Sequence, residues 1–334
     1  MMNLYKMFFL SLVLSSTLLA ISTLSWLTAW ISLEINLLTI IPLMKTFKNK
    51  LSAEASIKYF ITQAMASAML LFSMFIFTNS LSKNMHTTYT LFLNSALLLK
   101  MGAAPFHFWL PEITTGLSWS MVLLILTWQK IAPMILLYHS TYIPMYLCII
   151  IIFSALISGL QGMNQTCLRK ILTYSSINHI SWMISTLLTS LMAWTYYFLI
   201  YTLINFNIII ILNKYKIMNL NQMSKIFSFN KNLKFMYMLN FLSLGGLPPF
   251  LGFFPKWLTI NYMVLNNYTT LSFILIIFTL ISLYLYMRIT FSTLTLNAQE
   301  SMIKINNQMN YFYFKFNFLA LMGLNLWLMI SSFY

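Results

Sequence analysis

Residues 142–162 contain no charged side chain, and runs of this kind recur along the whole chain. A helix needs about 20 mostly apolar residues to cross a bilayer. Apolar runs at that spacing leave little else for the chain to be. The 334 residues are 60% hydrophobic and only 7% charged, against roughly 25% charged in a soluble domain. That polar surface could not cover a water-soluble core of this size. The composition therefore predicts an all-α polytopic membrane protein, a single membrane domain over 1–334. It excludes a soluble enzyme, a disulfide-built secreted scaffold and a nucleic-acid binder.

The apolar runs predict eleven transmembrane helices, over 7–27, 28–44, 57–78, 88–110, 118–138, 142–162, 168–190, 191–213, 234–265, 268–290 and 314–334. The first run is read as a span and not as a signal peptide, because no small-residue cleavage site follows it. The cations test this parity. Lys6, Lys45, Lys48, Lys50, Lys58, Arg169, Lys170, Lys214, Lys216, Lys225, Lys231, Lys234, Arg288, Lys304 and Lys315 all fall on the side of the N-terminus. These are 15 of the 19 Lys and Arg, with Lys83 alone on the other side. Lys and Arg are retained on the side from which a chain inserts. The net charge of +15 is thus a topology signal, not the mark of an anionic partner. The predominance of Lys, Asn, Ile, Phe, Tyr and Met fits an AT-rich organelle genome, in which the basic side would be the mitochondrial matrix.

Lys100, Lys130 and Lys256 remain, and they fall inside predicted spans, as does Glu34. A charge at membrane depth costs about 2.5–3.5 kcal/mol on insertion scales. Such residues either lock helices together or serve an ion pathway, and four in a chain so poor in charge favour the pathway.

Two of the long segments share a motif. One reads Gly102-Ala-Ala-Pro105-Phe106-His107-Phe-Trp-Leu-Pro111-Glu112. The other reads Gly246-Leu-Pro248-Pro249-Phe250-Leu-Gly-Phe-Phe-Pro255-Lys256. Gly, Pro, Phe, Pro and a charge recur at the same spacing. The motifs lie on spans four and nine, which cross in opposite directions. This predicts an inverted repeat, with halves 28–162 and 168–334, and a discontinuous helix in each. Helix breaks at Gly102, Pro105, Gly246, Pro248 and Pro249 free backbone groups that only protein or water can satisfy. Lys100 and Lys256 flank those breaks. His179, in mid-span, and His107, beside the first break, are candidate proton relays, since His titrates nearest neutral pH. A hydrogen-bonded neutral helix residue is an equal reading of each. His86 and His139 fall at predicted loops. No metal-ligand spacing and no nucleotide-binding loop occurs. Cys148 and Cys167 stand too far apart along a helix for a disulfide.

These residues carry a family resemblance. Leu99-Lys100-Met-Gly-Ala-Ala-Pro-Phe-His-Phe-Trp-Leu-Pro-Glu112, Thr127-Trp-Gln-Lys130-Ile-Ala-Pro133 and Ser243-Leu-Gly-Gly-Leu-Pro-Pro-Phe-Leu-Gly-Phe-Phe-Pro-Lys256-Trp257 resemble the antiporter-like membrane subunits of respiratory complex I, in their animal mitochondrial NADH dehydrogenase subunit 2 group. Trp30-Ile-Ser-Leu-Glu34-Ile-Asn36 and Arg169-Lys-Ile-Leu-Thr-Tyr-Ser-Ser-Ile-Asn-His179 fit as well. The resemblance implies an antiporter-like fold. It implies that Glu34 pairs with Lys100, that Lys130 is a central lysine and that Lys256 belongs to the second broken helix. Protons would pass along a hydrated axis of these residues, driven by quinone reduction elsewhere. It implies no cofactor on this chain, with NADH, FMN, iron–sulfur clusters and ubiquinone held by other subunits of complex I. The implied partners are those subunits, especially subunit 4 and the small subunit 4L, together with membrane lipids. The implied place is the mitochondrial inner membrane, N-terminus in the matrix and C-terminus in the intermembrane space. A stand-alone cation/proton antiporter and a purely structural spacer are the alternatives.

Overall fold

A computed structural model describes residues 4–45, 49–79, 83–141, 143–220, 222–223, 231–248 and 250–294, with residues 315, 317, 318, 321 and 323. Pro249, Lys48, Lys225, Glu300 and Lys304 lie outside the described residues, as do the side chains of Lys83, His86 and Lys231 and most of the span expected over 314–334.

The regular structure among the described residues is helical, apart from an isolated antiparallel bridge between Cys167 and Asn219. Lipid offers no partners to backbone N–H and C=O groups, so each span must bond within itself. In order, the helices are α1 (Leu4–Ser22), α2 (Trp26–Met44), α3 (Lys50–Asn79), α4 (Lys83–Met101), α5 (Trp109–Gly116), α6 (Trp119–Leu126), a 3₁₀ turn (Trp128–Lys130), α7 (Ile131–His139), α8 (Pro144–Met163), α9 (Leu168–Leu187), α10 (Leu191–Tyr215), α11 (Lys231–Gly245), α12 (Phe253–Leu265) and α13 (Thr269–Leu294).

These helices cover the first ten expected spans. Among the described residues, seven stretches are long and apolar enough to cross a membrane on their own account: α1, α2, α3, α6 with α7, α8, α10 and α13. The other three are α4–α5, α9 and α11–α12. Two of them are the broken helices. The third, α9, is buried along nearly its whole length and can carry polar residues that lipid would exclude. Its hydroxyls turn back onto their own helix: Thr173, Ser175, Ser176, Ser181, Ser185 and Thr186 each donate to the carbonyl three residues before. That bond satisfies the hydroxyl locally and leaves the helix intact.

The chain divides into two compact units, Met1–Ser154 and Ala155–Tyr334. In the first, α3 packs on α2, α4 and α5, while α7 packs on α1 and α4. In the second, α9 packs on α10, α12 and α13, and α11 packs on α10 and α13. Each unit brings together groups that the span parity puts on one membrane face. In the first, Lys58 of α3 bonds Glu112 of α5 at 3.0 Å and Glu54 at 2.8 Å. In the second, Arg288 of α13 donates to the carbonyls of Met163 and Gln165. The Leu168 N–H donates to Met218 O at 2.9 Å and the Leu220 N–H to Thr166 O at 3.2 Å.

A candidate ion pathway at three helix breaks

Both expected breaks are present, and they end their helices in the same way. Gly102 closes α4 and Gly246 closes α11, each with φ +76°, a left-handed conformation that a Cβ disfavours. The N–H of the following residue reaches back five residues in each: Ala103 to Leu98 O at 3.1 Å, and Leu247 to Leu242 O at 3.4 Å. This is the six-to-one bond of a Schellman closure. The repeated glycine in the sequence thus corresponds to a repeated backbone turn.

A third break was not expected from the apolar pattern. Residues 118–138 read as one span, but the helix is interrupted by the 3₁₀ turn at Trp128–Lys130. Pro133 is the cause visible in the chain. It has no N–H to give to the carbonyl of Gln129, four residues back, and its ring crowds that carbonyl. The turn tightens there instead. Thr127 stands just before the turn and donates its hydroxyl to Leu123 O at 2.7 Å.

Each of the three lysines sits at one of these interruptions. Lys100 is in the last turn of α4, Lys130 ends the 3₁₀ turn, and Lys256 is in the first turn of α12. All three are buried; Lys130 is only 1% exposed. An interrupted helix has unpaired carbonyls that a lysine or amide donor suits, whereas a continuous helix offers none.

In the first unit, Lys100 and Lys130 line one cavity of about 20 Å³, room for roughly one water molecule. Asn36, Gln63 and Gln129 supply its amides. The carbonyls released at the end of α4 are taken by neutral donors: the Trp109 indole bonds Leu99 O at 3.1 Å and the Gln63 amide bonds Lys100 O at 3.4 Å. Asn36 and Gln129 bond each other. Glu34 is on α2, half-buried and next in the chain to Leu33 of that cavity wall. Among the described residues it makes no direct ion pair with Lys100. His107 is fully buried inside the first break, with Nδ1 3.3 Å from Pro105 O and its ring against Phe108. Pro105 lies in the same break.

In the second unit, the Lys256 ammonium donates to Gly245 O at 2.8 Å and lies 5.9 Å from the centre of the Trp182 ring. His179 Nδ1 is 2.9 Å from the Tyr197 hydroxyl, and the imidazole lies beside Tyr201. Its neighbour Asn178 donates to the Ser282 hydroxyl at 2.9 Å. Pro248 lies in the second break.

The amides and tyrosines are what the sequence reading missed. Asn36, Gln63, Gln129, Tyr197 and Tyr201 carry no charge, and the sequence alone gives none of them a role. One signal was present: Gln129 adjoins Lys130, four residues before a proline.

A membrane bundle whose discontinuous helices each hold a buried lysine is an antiporter-like membrane protein. Comparison with known proteins agrees and narrows the class. Residues 23–282 match the family described as NADH:quinone oxidoreductase/Mrp antiporter, transmembrane. The NADH-ubiquinone oxidoreductase chain 2 of Anopheles gambiae is 46% identical, over 98% of this chain and 97% of its own length. That of Locusta migratoria is 43% identical, over 92% and 91%. In fold, the chain is similar to a chain of respiratory complex I from Thermus thermophilus, with a TM-score of 0.86, 23% identity and coverage of 96% of this chain and 78% of that one. It is also similar to a chain of the Mrp complex from Dietzia, with a TM-score of 0.76, 18% identity and coverage of 84% and 59%. The chain belongs to the NADH:quinone oxidoreductase/Mrp antiporter family, in its NADH-ubiquinone oxidoreductase chain 2 group.

Proposed function

We propose that this chain carries protons across the inner membrane as a subunit of NADH:ubiquinone oxidoreductase, through Glu34, Lys100, Lys130 and Lys256. The carrying observation is the cavity that Lys100 and Lys130 share with three amides. A lysine relays a proton only if it can both hold and release one. Loss of water weakens its hold, and a carboxylate or carbonyl restores it. Amides fix a water molecule by hydrogen bonds while carrying no charge of their own. A water bridging the two ammonium positions would complete a path that neither lysine makes alone.

His107 and His179 are assigned as auxiliary relays, each held by a hydrogen bond at Nδ1. The driving energy comes from quinone reduction in other subunits. NADH, FMN, the iron–sulfur clusters and ubiquinone are held there, and this chain has no redox centre. Its neighbours in the assembly are the antiporter-like subunit 4 and the small subunit 4L, with lipid around them. The basic face is the matrix face, which puts the N-terminus in the matrix and the C-terminus in the intermembrane space.

The test is proton uptake per NADH oxidised by the complex in sealed vesicles, with Lys130→Met against the unaltered complex. A lower ratio at normal assembly is expected. An unchanged ratio would remove Lys130 from the path.

A further inference from the structure

The two breaks share a backbone but differ in what fills them. A Cβ added to Gly102 would stand 2.6 Å from Leu110 Cδ1 and 3.2 Å from the Trp109 ring. The bare face of that glycine receives apolar side chains of α5. A Cβ added to Gly246 would stand 2.7 Å from Cδ of Lys256 and 3.0 Å from both its Cε and Nζ. The bare face of this glycine receives the outer half of a lysine.

We infer that Gly246 is a positioning residue for Lys256: the lysine stem lies across the glycine, and its ammonium is thereby seated on the carbonyl of Gly245. This deepens the reading of Lys256 as a proton carrier and rests on it. Gly245 is the last residue of α11, where the unpaired carbonyls of a helix gather partial negative charge. An ammonium is favoured at such an end. The Trp182 face adds a second weak attraction at 5.9 Å. Among the described residues of this unit there is no acidic side chain: Glu300, the single one of residues 155–334, lies outside them. The partner that the Lys256 ammonium meets among those residues is the backbone carbonyl of Gly245. A side chain at 246 would displace the ammonium from that backbone without touching its chemistry.

The first break has no such seat. Its freed carbonyls are already held by the Trp109 indole and the Gln63 amide, which do not titrate near neutral pH. The repeat thus keeps one turn and gives it two uses: a closed turn in the first unit and a lysine seat in the second.

The experiment compares whole complex carrying Gly246→Ala, Gly246→Asn, Lys256→Ala, and Gly246→Ala with Lys256→Ala. Asn tolerates a left-handed backbone better than Ala, while its Cβ still meets the lysine. Protons moved per NADH are read for each assembled complex, and assembled complex is counted separately. Both Gly246 variants should lose proton transfer toward the level of Lys256→Ala. The double variant should match Lys256→Ala alone, since the lysine through which Gly246 acts is gone. Normal transfer in an assembled Gly246 variant, with Lys256→Ala impaired, would overturn the inference and leave the lysine's role standing. Normal transfer in Lys256→Ala would overturn the role itself. If neither Gly246 variant assembles, the double variant decides: recovered assembly means the lysine was the obstacle, and continued failure means that the backbone alone requires glycine.

Discussion

Asn36 on α2 and Gln129 in the 3₁₀ turn exchange two hydrogen bonds, Asn36 Nδ2 to Gln129 Oε1 and Gln129 Nε2 to Asn36 Oδ1, each 3.2 Å. The pair joins the helix that carries Glu34 to the turn that carries Lys130. Each amide donates one N–H to the other's carbonyl and accepts one in return. Gln129→Leu leaves the amide of Asn36 buried without that partner, a cost of about 1–3 kcal/mol. Assembled complex should fall in either single leucine variant and recover in the Asn36→Leu, Gln129→Leu pair. Blue-native gels quantify it; equal losses in the single and double variants would show that the pair does not hold the turn.

The Lys130 position discriminates between a relay and a fixed charge. Arg is charged at any ordinary pH and is bulkier than Lys. Lys130→Arg should therefore restore little of the proton transfer lost in Lys130→Met, measured as protons per NADH in vesicles. Full recovery in the arginine variant would mean that charge alone suffices there.

The proposed path couples Glu34 to Lys100, although the two make no direct ion pair among the described residues. Glu34→Gln and Lys100→Met should each lower assembly and pumping. The double variant should assemble better than the worse single, because no charge is left uncompensated at membrane depth. Pumping should stay low in all three. Abundance and proton ratio across this double-mutant cycle give the coupling directly, and strictly additive losses in abundance would dissolve the pair.

Lys58 is a contrasting case. It contacts both Glu54 and Glu112, but the side chains are 41% and 59% exposed in each pair. Exposed pairs contribute little to stability. Glu112→Gln should leave complex abundance and proton ratio within error of the unaltered protein. A clear loss of either would give this carboxylate a role beyond the surface.

The orientation has its own test. Protease added to mitoplasts should spare the 214–234 loop, because the basic face is proposed as the matrix face. Cleavage there, with matrix marker proteins intact, would reverse the assignment.

Helical class, span order and the placing of two breaks were legible in the chain because each is a local or one-dimensional property. An apolar run long enough to span, a cation at a loop, or a Gly and Pro in mid-span states its consequence without knowledge of any distant residue. The buried lysines were legible for a related reason: charge is so scarce here that each misplaced one stands out. The third break was half legible, since Pro133 marks it but the surrounding apolar run conceals it. What those residues meet was decided by tertiary structure alone. Asn36 finds Gln129 across 93 positions of chain, and His179 finds Tyr197 on the next helix. Gly102 and Gly246 look alike in sequence, yet one turn is filled by leucine and tryptophan and the other by lysine. Neutral polar residues give no pattern along a helix that lipid-facing packing could not also produce. Only the crossing of helices determines whether an amide meets a partner, a cavity or another amide.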